Sequence, residues 1–223
     1  MRLSIIAAAT AALAAATPLA AEVTEQDDSG FVTRDQAIVE ATPKEVWLAL
    51  ITPSGWWNDA HTWSGDAGNM TLTPQAGGCF CEKIPESEDR NRITLEGSVE
   101  HMRVIQAYPE SALRMSGGLG PLQSEPVTGI LTIAISEVEE GTRIVWEYNV
   151  GGRMRYEIPE ISKAVDGVMS QQLDGLARLL GRVDGKGEKE ETEEPETAEE
   201  PEETEAEGPS VDEAFGDLSG DGR

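Results

Sequence analysis

The chain has 223 residues, with 42 Asp and Glu against 17 Lys and Arg and a formal net charge of −25. That balance excludes a nucleic-acid role, since binding to phosphates needs clustered lysines and arginines. Two cysteines are too few for a disulfide scaffold, so an apolar core must hold the fold.

At the N-terminus, Arg2 precedes an uncharged, alanine-rich run from Ser4 to Ala16, and small residues stand at Ala20 and Ala21. This is the pattern of a secretory signal peptide over residues 1–21, cleaved near Ala21, which predicts a periplasmic or secreted protein. No later run approaches the roughly 20 apolar residues of a membrane span. At the other end, Asp184 to Arg223 holds 17 acidic and 3 basic residues and almost nothing apolar. A disordered acidic tail over 184–223 follows, either a plain solvating extension or a segment that binds cations or a basic partner. Residues 22–183 remain as one domain of ordinary size.

Within that domain FVTRDQAIVEA predicts a first strand. Thr42, Pro43 and Glu45 form a capping box that opens a helix over Val46, Trp47, Leu48, Leu50 and Ile51. The segment from Trp56 to Asp66 is too irregular for a helix and too polar for a buried strand, and predicts a short helical turn with a loop. Six strands then follow, at NMTLTP, GCFCEKI, ITLEGSVEHMRVIQAY, SALRMSG, VTGILTIAISEV and TRIVWEYNV. From Pro159 to Leu180 apolar residues recur every three or four positions, the mark of a long amphipathic helix that only the sheet can cover.

That order of elements, with ATPKEVWLAL followed by GWW, GGCFCE, VIQAYPESALRMSGGLGPL and ISEVEEGTRIVWEYNVGG, resembles the START-like, SRPBCC superfamily. Within it the chain looks like the proteins related to the heat-shock ATPase activator domain and the polyketide cyclases, over Phe31 to Gly181. The resemblance implies an α+β helix-grip fold, a curved antiparallel sheet wrapped around a long C-terminal helix, with a cavity for a small hydrophobic or amphipathic ligand. Co-chaperone activity does not carry over, because the ATPase partner is cytosolic and this chain bears an export signal. Trp56, Trp57, Met102, Met115, Trp146, Tyr148 and Met169 are the candidate walls of that cavity, with ordinary core packing as the alternative for each.

The chain's two cysteines and two histidines raise a further question. Cys79 and Cys81 point to one face of a strand, and pairing across a loop centred near residue 90 sets Cys79 opposite His101, with His61 in the loop upstream. Such a set would take zinc or copper. The alternatives are burial, a redox use, or a disulfide that kinks the strand. No cofactor is otherwise expected. His61 and His101, with Ser64, Asp66, Cys81 and Glu82 nearby, also supply the groups of a cyclase- or hydrolase-like enzyme, though Ser64 and Asp66 suit loop capping as well. Non-catalytic ligand binding is the leading expectation.

Overall fold

The computed structural model describes residues 22–86, 88–89 and 92–184. The alanine-rich leader and all of the acidic tail beyond Asp184 lie outside the described residues. The chain runs β1 (Glu22–Asp27), β2 (Gly30–Val39), α1 (Pro43–Leu50), β3 (Met70–Leu72), β4 (Cys79–Ile84), β5 (Glu88–Asp89), β6 (Arg92–Ile93), β7 (Gly97–Tyr108), β8 (Ala112–Ser116), β9 (Val127–Val138), β10 (Gly141–Gly152) and α2 (Ile158–Leu179). Strands β5 and β6 pair with each other, and the rest form one open eight-stranded antiparallel sheet in the order β1-β2-β10-β9-β8-β7-β4-β3. The α+β helix-grip arrangement follows, with α2 laid against β1 and β2.

Strand alternation builds the inner face. Leu131, Ile133 and Ile135 of β9 and Ile144, Trp146 and Tyr148 of β10 are all buried, as their spacing of two demands. Strand β7 carries two irregularities, one near His101 and one near Ile105, where an extra residue interrupts the pairing. Bulges bend a strand and sharpen its twist, so β7 is where the sheet can curl around the helix.

Helix α1 is opened by the expected capping box: Thr42 Oγ1 accepts from the Glu45 amide at 3.4 Å, and Glu45 Oε2 accepts from the Thr42 amide at 2.8 Å. Helix α2 buries Ile161, Val165, Met169, Leu173 and Leu176. Leu179, which the periodicity places on the same face, is 58% exposed because the helix is ending there. Gly181, at φ +76°, turns the chain back, a conformation that suits glycine. The returning chain bonds to β2, Glu40 donating to the Gly181 carbonyl at 2.8 Å and Val183 to that of Ile38 at 2.9 Å. The buried Arg182 side chain pairs with Asp174 and Asp184, fastening the end of the helix.

Two further differences have plain causes. Strand β1 has no alternating pattern to announce it; it is an exposed edge held by backbone pairing to β2. The long strand expected from Ile93 to Tyr108 divides into β6 and β7, with Leu95 between them 88% exposed. Among the described residues no helix is long and apolar enough to cross a membrane.

Candidate functional site

The segment between α1 and β3 is held by its own polar side chains. Short 3₁₀ turns occupy Pro53–Gly55, Asp59–His61 and Ala67–Asn69. Asn58 caps the second by accepting from the Ala60 amide at 2.9 Å, and Asp66 caps the third from Gly68 at 2.7 Å. Ser64 Oγ donates to the Asp66 carbonyl at 3.1 Å, so Ser64 and Asp66 turn the loop, as the capping alternative expects.

This loop, the first half of α2, His101 and the turn at Leu119–Pro121 line a half-open cavity of about 410 Å³. Ile161, Ala164, Val165, Val168 and Met169 form the helix wall, and Trp57, Ala60, His61, Thr62 and Trp63 the loop wall. No Lys, Arg, Asp or Glu is among the described lining residues. Trp57 Nε1 donates to the His61 carbonyl at 3.1 Å, fixing its ring in the loop wall. Phe80 meets Trp57 edge-on at 5.1 Å and His101 at 5.4 Å, backing both from the sheet.

Behind His101 stands Glu82, 1% exposed. Its carboxylate accepts from His101 Nε2 at 2.8 Å, from the Trp63 amide at 3.0 Å and from the Ser64 amide at 2.5 Å. Burial alone would push this carboxyl up. The hydrogen bonds from Ser64, the Trp63 amide and His101 outweigh burial and hold it below its ordinary value. One buried anion thereby ties the loop to β7 and orients an imidazole that lines the cavity.

His61 is oriented by a second relay. The Asn58 amide donates to Gln172 Oε1 at 2.9 Å, so the side-chain amide of the fully buried Gln172 must turn its NH₂ toward His61 Nδ1, 2.7 Å away. Nδ1 then accepts, and the neutral ring carries its proton on Nε2.

Tyr148 supports the far wall, donating to the Gly117 carbonyl at 2.9 Å and accepting from the Leu119 amide at 3.1 Å. Burial pushes its hydroxyl well above the usual tyrosine range. A second cavity of about 270 Å³ lies on another side of His101, lined by Met102, Glu100 and Glu125 among others.

Of the residues singled out in the sequence, Trp57, Met169, His61 and His101 line the main cavity. Met102 lines the second, while Met115, Trp146 and Tyr148 are buried in the packed core and Trp56 lies partly buried against it. The expected pairing of Cys79 with His101 is corrected: Cys79 stands opposite Arg103, Phe80 opposite Met102 and Cys81 opposite Glu100, leaving His101 as the extra residue of a bulge. The bulge turns His101 and Met102 inward together. Cys79 and Cys81 are only half-buried, on the face opposite to buried Phe80 and Glu82, and form a disulfide with a Cα separation of 5.4 Å. That is shorter than the roughly 6.6 Å of two residues in a regular strand, the contraction expected of such a bridge. The cysteines and histidines are therefore not gathered around one point, and no group of three or more His, Cys, Asp or Glu suited to a metal occurs among the described residues.

Ala60, Thr62, Trp63 and Leu119–Pro121 belong to loops without a period, so their place in the wall is not legible from spacing. Glu82 has a signal: it shares the inward face of β4 with Phe80, where an ionisable group needs a partner.

No model of a known protein family matches the chain, and no curated protein matches it. Among solved structures it is similar to an uncharacterised protein from Rhizobium leguminosarum, at 19% identity over 67% of this chain and 93% of that one, with a TM-score of 0.48. A protein of unknown function from Staphylococcus aureus is 15% identical over 68% of this chain and 93% of its own, with a TM-score of 0.48. The protein CalU16 from Micromonospora echinospora is 15% identical over 77% of this chain and 84% of its own, with a TM-score of 0.44. The chain's own geometry defines its class: a helix-grip α+β domain with an apolar cavity and two oriented imidazoles in its wall.

Proposed function

We propose that the protein is an exported START-like domain that binds one small hydrophobic or amphipathic molecule between its sheet and its C-terminal helix, without transforming it. The observation that carries this reading is the cavity of about 410 Å³, walled by Trp57, Val165, Val168 and Met169, with no Lys, Arg, Asp or Glu among the described residues that line it. That is the size and chemistry of a small-molecule site. Export is part of the proposal and rests on the alanine-rich leader.

Ala164→Trp tests it. Ala164 lines the cavity and is solvent-exposed, so the large ring enters the open space without displacing core. Native mass spectrometry and titration with 1-dodecanol should show one molecule bound to the wild type and none to the variant, with the melting temperature unchanged. A wild type that takes up no apolar probe sinks the proposal.

A second reading, proton transfer on the bound molecule, is favoured by one observation: His101 faces the cavity with Glu82 behind it at 2.8 Å, the arrangement that orients a general base. Recovery of a native ligand chemically unaltered after prolonged incubation supports binding alone. Conversion that disappears in His101→Asn supports catalysis.

A further inference from the structure

Most polar side chains in the cavity wall are already committed. Thr62 Oγ1 donates to the Asp59 carbonyl at 2.7 Å, Trp57 Nε1 to the His61 carbonyl, and Trp63 Nε1 to Gln123 at 3.1 Å. Two ring nitrogens remain. His61 Nε2 carries a proton, because the relay from Asn58 through Gln172 occupies Nδ1 with a donor, and it has no partner among the described residues. His101 Nε2 is engaged by Glu82, leaving Nδ1, likewise without a partner among the described residues.

We infer that the ligand carries a hydroxyl group at one end of an apolar body, and that His61 and His101 hold it. The inference rests on the cavity being a binding site. A neutral His101 offers Nδ1 as an acceptor and His61 offers Nε2–H as a donor; a hydroxyl can donate to the first while accepting from the second. Should His101 be protonated, both rings donate, and the hydroxyl oxygen accepts from both. An ether or ester meets only the second case. An anionic head is disfavoured in either, since the Glu82–His101 pair carries net charge zero or −1 and no Lys or Arg is among the described residues that line the cavity. A cationic head finds no carboxylate among the described lining residues. The class is therefore an apolar alcohol or phenol.

The test compares three probes of one chain length on the purified protein by isothermal titration calorimetry: 1-dodecanol, its methyl ether and dodecanoate, all below their aggregation limits. The alcohol should bind up to about tenfold more tightly than the ether, the factor expected of the one net hydrogen bond that the ether cannot donate. His61→Phe should weaken alcohol and ether alike and keep the preference, which rests on the acceptor at His101 Nδ1; if circular dichroism shows that variant unfolded, the wild-type ranking alone decides. ¹⁵N spectra of the wild type should place the His61 proton on Nε2. Equal binding of alcohol and ether overturns the hydroxyl inference and leaves the cavity reading standing, as does dodecanoate binding tightest. Binding of none removes the cavity reading and this inference together.

Discussion

Gly175 of α2 lies against the carbonyl of Trp56, so closely that a Cβ on Gly175 would stand 2.4 Å from that oxygen. The contact lets the closing helix settle onto the loop that becomes the cavity wall, and it explains a residue of poor helix propensity inside the helix, one turn before its end.

Gly175→Ala should therefore destabilise the protein by about 1–3 kcal/mol, as overpacked sites do. Gly167, on the same helix with open space around it, is the control: Gly167→Ala should stabilise by about 0.5–1 kcal/mol. Urea unfolding of both variants measures the two signs. Two substitutions of equal effect would show that the helix does not press on Trp56.

Glu82→Gln should cost about 2–4 kcal/mol, because it puts an NH₂ among donors that need an acceptor. The acid limb carries its own signature. A carboxyl held below its ordinary value of 4.5 contributes stability that is complete above that value and lost as the pH falls through the lower folded one. Stability of the wild type should thus fall with pH below about 4.5 more steeply than that of the variant. Urea midpoints between neutral pH and acid measure this, and parallel curves would remove Glu82 from the linkage.

Tyr148→Phe removes the hydroxyl that joins the Gly117 carbonyl and the Leu119 amide, while the ring stays in the core. A loss of about 1–3 kcal/mol is expected from the groups left unpaired. Hydrogen exchange at Leu119 and Gly120 should quicken more than at β9. Unchanged exchange there would mean that the turn stands without the tyrosine.

The Cys79–Cys81 bridge closes a loop with a sequence separation of only two, so chain entropy assigns it roughly 1.6 kcal/mol. Intact mass should be two hydrogens below the fully reduced value, and Cys79→Ser with Cys81→Ser should still fold. Because Phe80 between them backs Trp57 and His101, the double variant should weaken binding of 1-dodecanol more than it weakens the fold. Unchanged affinity would separate the bridge from the cavity.

The amino-acid sequence by itself determined most of the elements and the inward faces of β9, β10 and α2, though not β1 or the break between β6 and β7. The capping box at Thr42, the alternation through Leu131–Ile135 and Ile144–Tyr148 and the three-four spacing from Ile161 to Leu176 are local patterns, written in residues a few positions apart. They suffice for an open sheet closed by a helix, because no other surface can cover that helix. What they leave undecided is which inward residue meets a neighbour and which meets open space. Trp146 and Trp57 read alike in the sequence, yet one is packed core and the other a cavity wall. Only the tertiary structure decided the rest. A one-residue bulge shifts the register, turns His101 inward beside Glu82 and leaves the cysteines on the other face. Bulges are settled by how the whole sheet bends, and relays such as Asn58–Gln172–His61 join residues more than a hundred positions apart, beyond the reach of any local period.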